Sequence, residues 1–187
     1  MILKKICMFS ILLLSSYVCA QNQKDEIITI ETSEGSIIVH LDAKRAPITV
    51  SNFIKLIESD YFDGSIFHRV IENFMIQGGG FDSEMHDLES LKTIPNESGN
   101  GLSNLRGTIA MARTSDPHSA NAQFFINTKD NRSLNPKSGR WGYAVFGSVI
   151  DGMDVVDKIS KKRTGPKGRF DRDVPVETVL IKNISIE

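Results

Sequence analysis

The segment from Glu26 to Asp42, EIITIETSEGSIIVHLD, constrains the fold of this chain more than any other. Apolar and polar residues alternate on both sides of Glu34-Gly35, with Ile28 and Ile30 before the turn and Ile38 and His40 after it in period-two patterns. Successive strand side chains point to opposite faces, so the pattern predicts a β-hairpin with one face turned to a core. Further short stretches of this type run from Ser65 to Val70, Phe74 to Gln77, Gly107 to Ala112, Gln123 to Thr128, Ala144 to Val149 and Thr178 to Ile186. Helical spacing is confined to two places. In APITVSNFIKLIE, Val50, Phe53, Ile54 and Ile57 form a stripe behind Pro47, which suits a first helical turn and predicts a helix over 47–58. The second runs from Met153 to Lys161, with Val155, Val156 and Ile159 as its stripe and Asp151-Gly152 at its N-cap. Many short strands and two helices predict a mainly β fold, a closed eight-stranded antiparallel β-barrel capped by two α-helices. The stretches 81–106 and 129–143, rich in Asn, Ser, Gly and charge, are expected to be loops that form binding surfaces.

The N-terminal twenty residues have a different character. MILKKICMFSILLLSSYVCA places Lys4 and Lys5 before an apolar run from Ile6 to Leu14 and ends in small residues at Ala20. This is the layout of a secretory signal peptide over 1–20, with the domain at 21–187 and the protein in the periplasm. The run is shorter than the roughly 20 residues that span a bilayer, so no stable membrane insertion is expected after cleavage. Lipid anchoring at Cys19 is the alternative. Cys7 and Cys19 are the only cysteines, so the mature domain is expected to stand on its core alone, without disulfides or thiol chemistry. A whole-chain net charge of −1 gives no basis for nucleic acid as a partner.

Several familiar chemistries find no footing. His40, His68, His86 and His118 lack the paired spacing of a metal site. Gly78, Gly79 and Gly80 are not followed by the Lys-Ser/Thr of a phosphate loop, and no G-x-S-x-G elbow occurs. No metal and no cofactor are expected. Three segments stand out instead: FHRVIENFMIQGGG at 67–80, GTIAMARTSDPHSANAQFFIN at 107–127 and GYAVFGSVIDGMDVVDKI at 142–159. Together they resemble the cyclophilin family of peptidyl-prolyl cis–trans isomerases, in its bacterial exported branch, and the resemblance covers nearly all of 26–187.

The resemblance implies an enzyme that accelerates X–Pro rotation and assists the folding of exported proteins. Its partners would be proline-containing unfolded or peptide segments. Arg69 matches the family's catalytic arginine, which would donate to the prolyl nitrogen as the amide twists. Phe74, Met75 and Phe125 match the apolar pocket for the proline ring, and Leu134 matches a further wall. Gln77 and Gln123 match positions that bond the peptide backbone or orient the arginine. Ala112, Arg113 and Thr114 lie where the family lines the approach for residues before the proline, and Tyr143 where eukaryotic members carry histidine. The catalytic set is thus Arg69, Gln77 and Phe125. Strand parity adds an independent reading, since Gln123, Phe125 and Asn127 share one face while Phe124 and Ile126 share the other. His68 either borders the site or serves the core.

Two departures from the family pattern carry expectations. Glu72-Asn73 replaces a Pro-Gly turn, and asparagine can take the positive φ that such a turn needs. Ser133 replaces a bulky aromatic residue, so weak cyclosporin binding is expected. The protein is expected to be a monomer. Other readings of the same residues are a holding chaperone in which catalysis is incidental, and a small-ligand barrel or adaptor working through the 81–106 loop.

Overall fold

The computed structural model describes residues 25–89 and 91–187. The signal peptide read at 1–20, with both cysteines, lies outside the described residues. The first hairpin is β1 (Glu26–Thr32) and β2 (Gly35–Leu41), paired antiparallel with Ile28 opposite Val39 and Ile30 opposite Ile37. The buried set on β2 is therefore Ile37, Val39 and Leu41. Ile38 and His40 share a face as expected, and it is the outer, half-buried one.

Helix α1 (Pro47–Glu58) buries Val50, Phe53, Leu56 and Ile57 against the sheet. Ala46 offers no side-chain cap, and the Glu97 carboxylate supplies one from the long loop. It accepts from Ile48 N at 3.1 Å and from Thr49 N and Thr49 Oγ1 at 2.8 and 2.7 Å. A carboxylate there satisfies orphan amides and lies at the positive end of the helix dipole. Phe53 is the centre of the core, with ring centroids 4.9 Å from Phe62, 5.4 Å from Phe124 and 5.1 Å from Phe146.

The remaining strands are β3 (Arg69–Ile71), β4 (Met75–Gly78), β5 (Thr108–Met111), β6 (Phe124–Asn127) and β7 (Val145–Asp151). Helix α2 (Met153–Ser160) is followed by β8 (Thr164–Lys167), β9 (Phe170–Pro175) and β10 (Ile181–Ile186). Eight of these strands form one antiparallel sheet in the order β10-β1-β2-β7-β5-β6-β4-β3, and β8-β9 pair separately as a hairpin.

The mainly β fold with two helices is as expected, but the barrel is not closed. The sheet is open and strongly curled, with β10 and β3 at its ends. Closure fails because 63–68 divides its backbone bonds between two partners. Phe67 N and Gly64 N donate to Val179 O and Ile181 O, whereas Ile66 N donates to Phe81 O. Among the described residues these bonds, with Ile181 N donating to Ser65 O, amount to an isolated bridge at Ile66 and Leu180 and not to a strand pairing. The strand expected over Ser65 to Val70 accordingly begins at Arg69.

The turn between β3 and β4 closes with Phe74 N donating to Ile71 O at 3.1 Å, and Asn73 takes φ 56. Asparagine thus holds the left-handed position that the sequence requires there. The Asn-rich loops are fastened to one another and to the sheet by their amides. Asn96 Nδ2 donates to Pro117 O and Gly142 O, and Asn100 Nδ2 donates to Val145 O.

Candidate active site

Strand parity splits the β3-β4-β6 surface into two faces. Val70, Ile76, Phe124 and Ile126 enter the main core, at 0–1% exposure. Met75, Ala110, Phe125 and Val145 form a second buried cluster on the opposite face. Cross-strand register sets the key residues of that face in a row, with Arg69 opposite Gln77, Gln77 opposite Phe125 and Phe125 opposite Ala110. Directly opposed residues have Cβ atoms about 5 Å apart, so the sheet delivers a guanidinium, an amide and a phenyl ring side by side.

This row faces a cleft of about 400 Å³. Its apolar lining is Phe74, Met75, Ala112, Phe125, Leu134 and Tyr143, and its polar lining is Arg69, Gln77 and Arg113. Thr114 and Gln123 line an adjoining cleft that shares Gln77, Ala112 and Arg113. All residues singled out in the sequence are therefore brought to one surface. His68 is not among them. It is buried behind the sheet with its ring centroid 4.6 Å from that of Phe81 and 5.8 Å from that of Phe170, and its Nδ1 has no hydrogen-bond partner among the described residues.

A relay of amides holds the arginine. Arg69 Nη1 donates to Gln77 Oε1 at 3.4 Å, and Gln77 Nε2 donates to Gln123 Oε1 at 3.0 Å. The long first bond leaves the guanidinium with donors to spare. Gly80 makes room for the relay, because a Cβ there would lie 2.4 Å from Gln123 Cδ.

Arg113 is held more tightly. Its Nε, Nη1 and Nη2 donate to Gly142 O at 3.2 Å, Thr114 O at 2.9 Å and Trp141 O at 3.0 Å. Its guanidinium carbon lies 4.5 Å from the centroid of the Tyr143 ring, which packs T-shaped with Phe125 at a centroid distance of 5.6 Å. The cation thereby fixes one wall of the cleft.

Asn127 has the parity of Gln123 and Phe125 but is not among the residues that line either cleft. It is fully buried and belongs to a network of asparagines. Asn127 Nδ2 donates to Asn104 Oδ1 and Thr108 Oγ1, while Asn131 Nδ2 donates to Asn127 Oδ1 and to Phe74 O, both at 2.7 Å. The network anchors the backbone of Phe74 and the 3-10 turn Arg132–Leu134 that presents Leu134. Only the density of asparagine in 96–135 hinted at it.

The chain matches the family model for cyclophilin type peptidyl-prolyl cis-trans isomerase/CLD over residues 27–186. It is 52% identical over 162 residues to the peptidyl-prolyl cis-trans isomerase cyp18 of Streptomyces antibioticus, covering 85% of this chain and 97% of that one. It is 49% identical over 164 residues to peptidyl-prolyl cis-trans isomerase B of Escherichia coli, covering 86% and 99%. Among solved structures it resembles a Cryptosporidium parvum cyclophilin type isomerase crystallised in the presence of the dipeptide ala-pro. There the TM-score is 0.69 and the identity 27%, over 87% of this chain and 99% of that one.

Proposed function

The chain belongs to the cyclophilin-type peptidyl-prolyl cis–trans isomerase family, and from that premise we propose that Arg69 drives X–Pro rotation by hydrogen bonding to the prolyl nitrogen. Its activity is peptidyl-prolyl cis–trans isomerisation. Amide resonance sets a rotational barrier of roughly 18–20 kcal/mol, and unaided exchange takes tens to hundreds of seconds. Millisecond turnover requires about 10⁴- to 10⁵-fold, or about 5.5–7 kcal/mol. No bond is broken, so positioning and electrostatics can supply all of it. As the amide twists, the prolyl nitrogen regains a lone pair that the planar bond withholds. Arg69 donates to that lone pair, an interaction absent from the ground state, which is what lowers a barrier. Phe74, Met75, Phe125 and Leu134 receive the ring, and the dry floor disfavours the polar planar amide. Gln77 and Gln123 orient the guanidinium, and Ala112, Arg113, Thr114 and Tyr143 bound the path of the peptide.

The observation that carries this reading is the row of Arg69, Gln77 and Phe125 across adjacent strands. Its test is exchange NMR or a protease-coupled assay on an Ala-Pro peptide with purified protein. Catalysed exchange that an excess of a second proline peptide inhibits is expected. Binding without catalysis would leave a holding role in its place.

Gly80→Ala is expected to lower kcat/KM about fivefold, the effect of losing one hydrogen bond of about 1 kcal/mol. The added methyl displaces Gln123, whose far end can move, so Tm should shift by no more than a few degrees. Full activity in this variant, measured beside its melting curve, would remove Gln123 from the relay.

In the cell, the proposed role is to assist the folding of exported proteins in the periplasm, as a monomer acting on proline-containing segments. The N-terminal pattern at 1–20 supports export. A mature N-terminus at Gln21 is expected by mass spectrometry, and lipid mass on Cys19 would instead mark an anchored form. Weak cyclosporin binding is also proposed. Ser133 is exposed and its carbonyl accepts from Arg140 Nη2 at 3.0 Å, so position 133 itself adds no aromatic surface beside Leu134. Calorimetric titration should give a micromolar or weaker Kd, and a nanomolar value would contradict it.

A further inference from the structure

The two clefts differ in electrostatic character from the chain that builds them. The whole sequence carries a net charge of −1, yet the charged residues among the described lining of the clefts are Arg69 and Arg113, and the nearby Asp116 carboxylate accepts from His118 N instead. The arginines that form ion pairs among the described residues are Arg45, Arg106, Arg132, Arg169 and Arg172. Arg113 bonds only to carbonyl oxygens, through three of its N–H groups. A guanidinium has five, so two remain, on a side chain already immobilised over Tyr143.

The adjoining cleft, of about 480 Å³, is polar where the first is apolar, with Thr114, Ser119, Asn121 and Gln123 around Arg113. Gln123 uses its carbonyl to accept from Gln77, which leaves its amide N–H groups as further donors on the same wall. A fixed cation beside amide donors, in no ion pair among the described residues, suits an anionic oxygen ligand. It also disfavours a second cation through like-charge repulsion.

We propose that Arg113 is a specificity-determining residue, selecting substrates that carry an acidic side chain flanking the proline. The carboxylate would accept from Arg113 and Gln123 in the polar cleft while the proline ring occupies the apolar one. This inference rests on the proline-binding reading of the first cleft. The preorganised guanidinium loses little side-chain freedom on binding, so the contact retains more of its strength than a mobile surface ion pair does.

The test uses peptides of one sequence with Asp, Asn or Lys placed in turn at each of the two residues before and after the proline. NMR titration gives each Kd, and exchange spectroscopy gives each isomerisation rate, at low and high salt. Wild type is expected to bind the Asp peptide about five- to tenfold tighter than the Lys peptide at one of these positions, the preference shrinking with salt. Arg113→Gln should erase the preference, and Arg113→Lys should keep part of it while weakening all peptides through loss of the Tyr143 contact. Equal affinities for Asp, Asn and Lys in wild type would overturn the proposal, as would an Asp-over-Lys preference of undiminished size in Arg113→Gln. Bound peptides with no isomerisation would instead count against the catalytic reading and leave the charge preference to be judged on Kd alone.

Discussion

Arg69→Ala is expected to lower kcat/KM on an Ala-Pro peptide by about 10²- to 10³-fold, which corresponds to a preorganised donor contributing about 2.7–4 kcal/mol in the transition state. The loss should fall on kcat as much as on kcat/KM, because the prolyl nitrogen accepts a bond only when the amide is twisted. Phe74, Met75, Phe125 and Leu134 remain in place to seat the ring, so residual catalysis above the uncatalysed rate is expected. Stability should change little, since Arg69 is half-buried and its one described hydrogen bond is the long one to Gln77. Arg69→Lys keeps the charge but not the fork of donors, and should fall between the two. Rates for the three proteins by protease-coupled assay, with melting curves alongside, check this. Equal acceleration by wild type and Arg69→Ala would remove Arg69 from the mechanism.

Acid should destabilise the protein through His68. Burial pushes its imidazole down to about 4 from an ordinary 6.5, aided by Arg69 and Arg169 and opposed by the Ile66 carbonyl. Arg169 lies over Phe81 and Phe170, the two rings that pack on the imidazole. It pairs with both Asp87 oxygens at 2.7–2.8 Å and lies 4.6 Å over Phe81. Between pH 6.5 and 4 the unfolded chain therefore holds a proton on His68 that the native state refuses. Stability is complete above that window, declines as pH falls through it and loses nothing further to this group below about 4. A difference of that size is worth about 3 kcal/mol. Urea unfolding at pH 7, 5.5 and 4 should show the decline, and His68→Phe should remove that share while carboxylate effects persist. An unchanged pH dependence in His68→Phe would show that the imidazole is not the titrating group.

What the sequence could disclose about the site follows from strand parity. Alternation assigns Phe124 and Ile126 to the core and Phe125 to the opposite face, and the structure agrees for all three. Asn127 has the parity of Phe125, yet it does not line the cleft, because segments around Asn104 and Asn131 fold over that end of the sheet. Parity tells which face a residue takes and not what later covers that face. The same limit applies to the Glu97 cap on α1, made across 48 residues, and to the open edge of the sheet, decided by the divided bonding of 63–68. The β8-β9 hairpin escaped notice because Gly165, Pro166, Gly168 and several charges erase its alternation, and most of its residues face solvent. Arg69, Gln77 and Phe125 were legible from the motifs that carry the resemblance, because their strands are short and β4 and β6 do not alternate strictly. Their convergence into one cleft came from the family resemblance, since register between distant strands is not written in local pattern.

The central claim, that the Arg69 guanidinium acts on the twisted amide rather than on the bound ground state, is tested most directly with a labelled Ala-Pro peptide at saturation. Exchange NMR then reports the interconversion of bound cis and trans forms, and titration reports Kd, for wild type and Arg69→Ala. The predicted result is a collapse of on-enzyme interconversion by about 10²-fold or more, with Kd within about threefold of wild type, a ground-state effect below 1 kcal/mol. Interconversion at the wild-type rate in Arg69→Ala, or a loss wholly accounted for by weaker binding, would contradict the account.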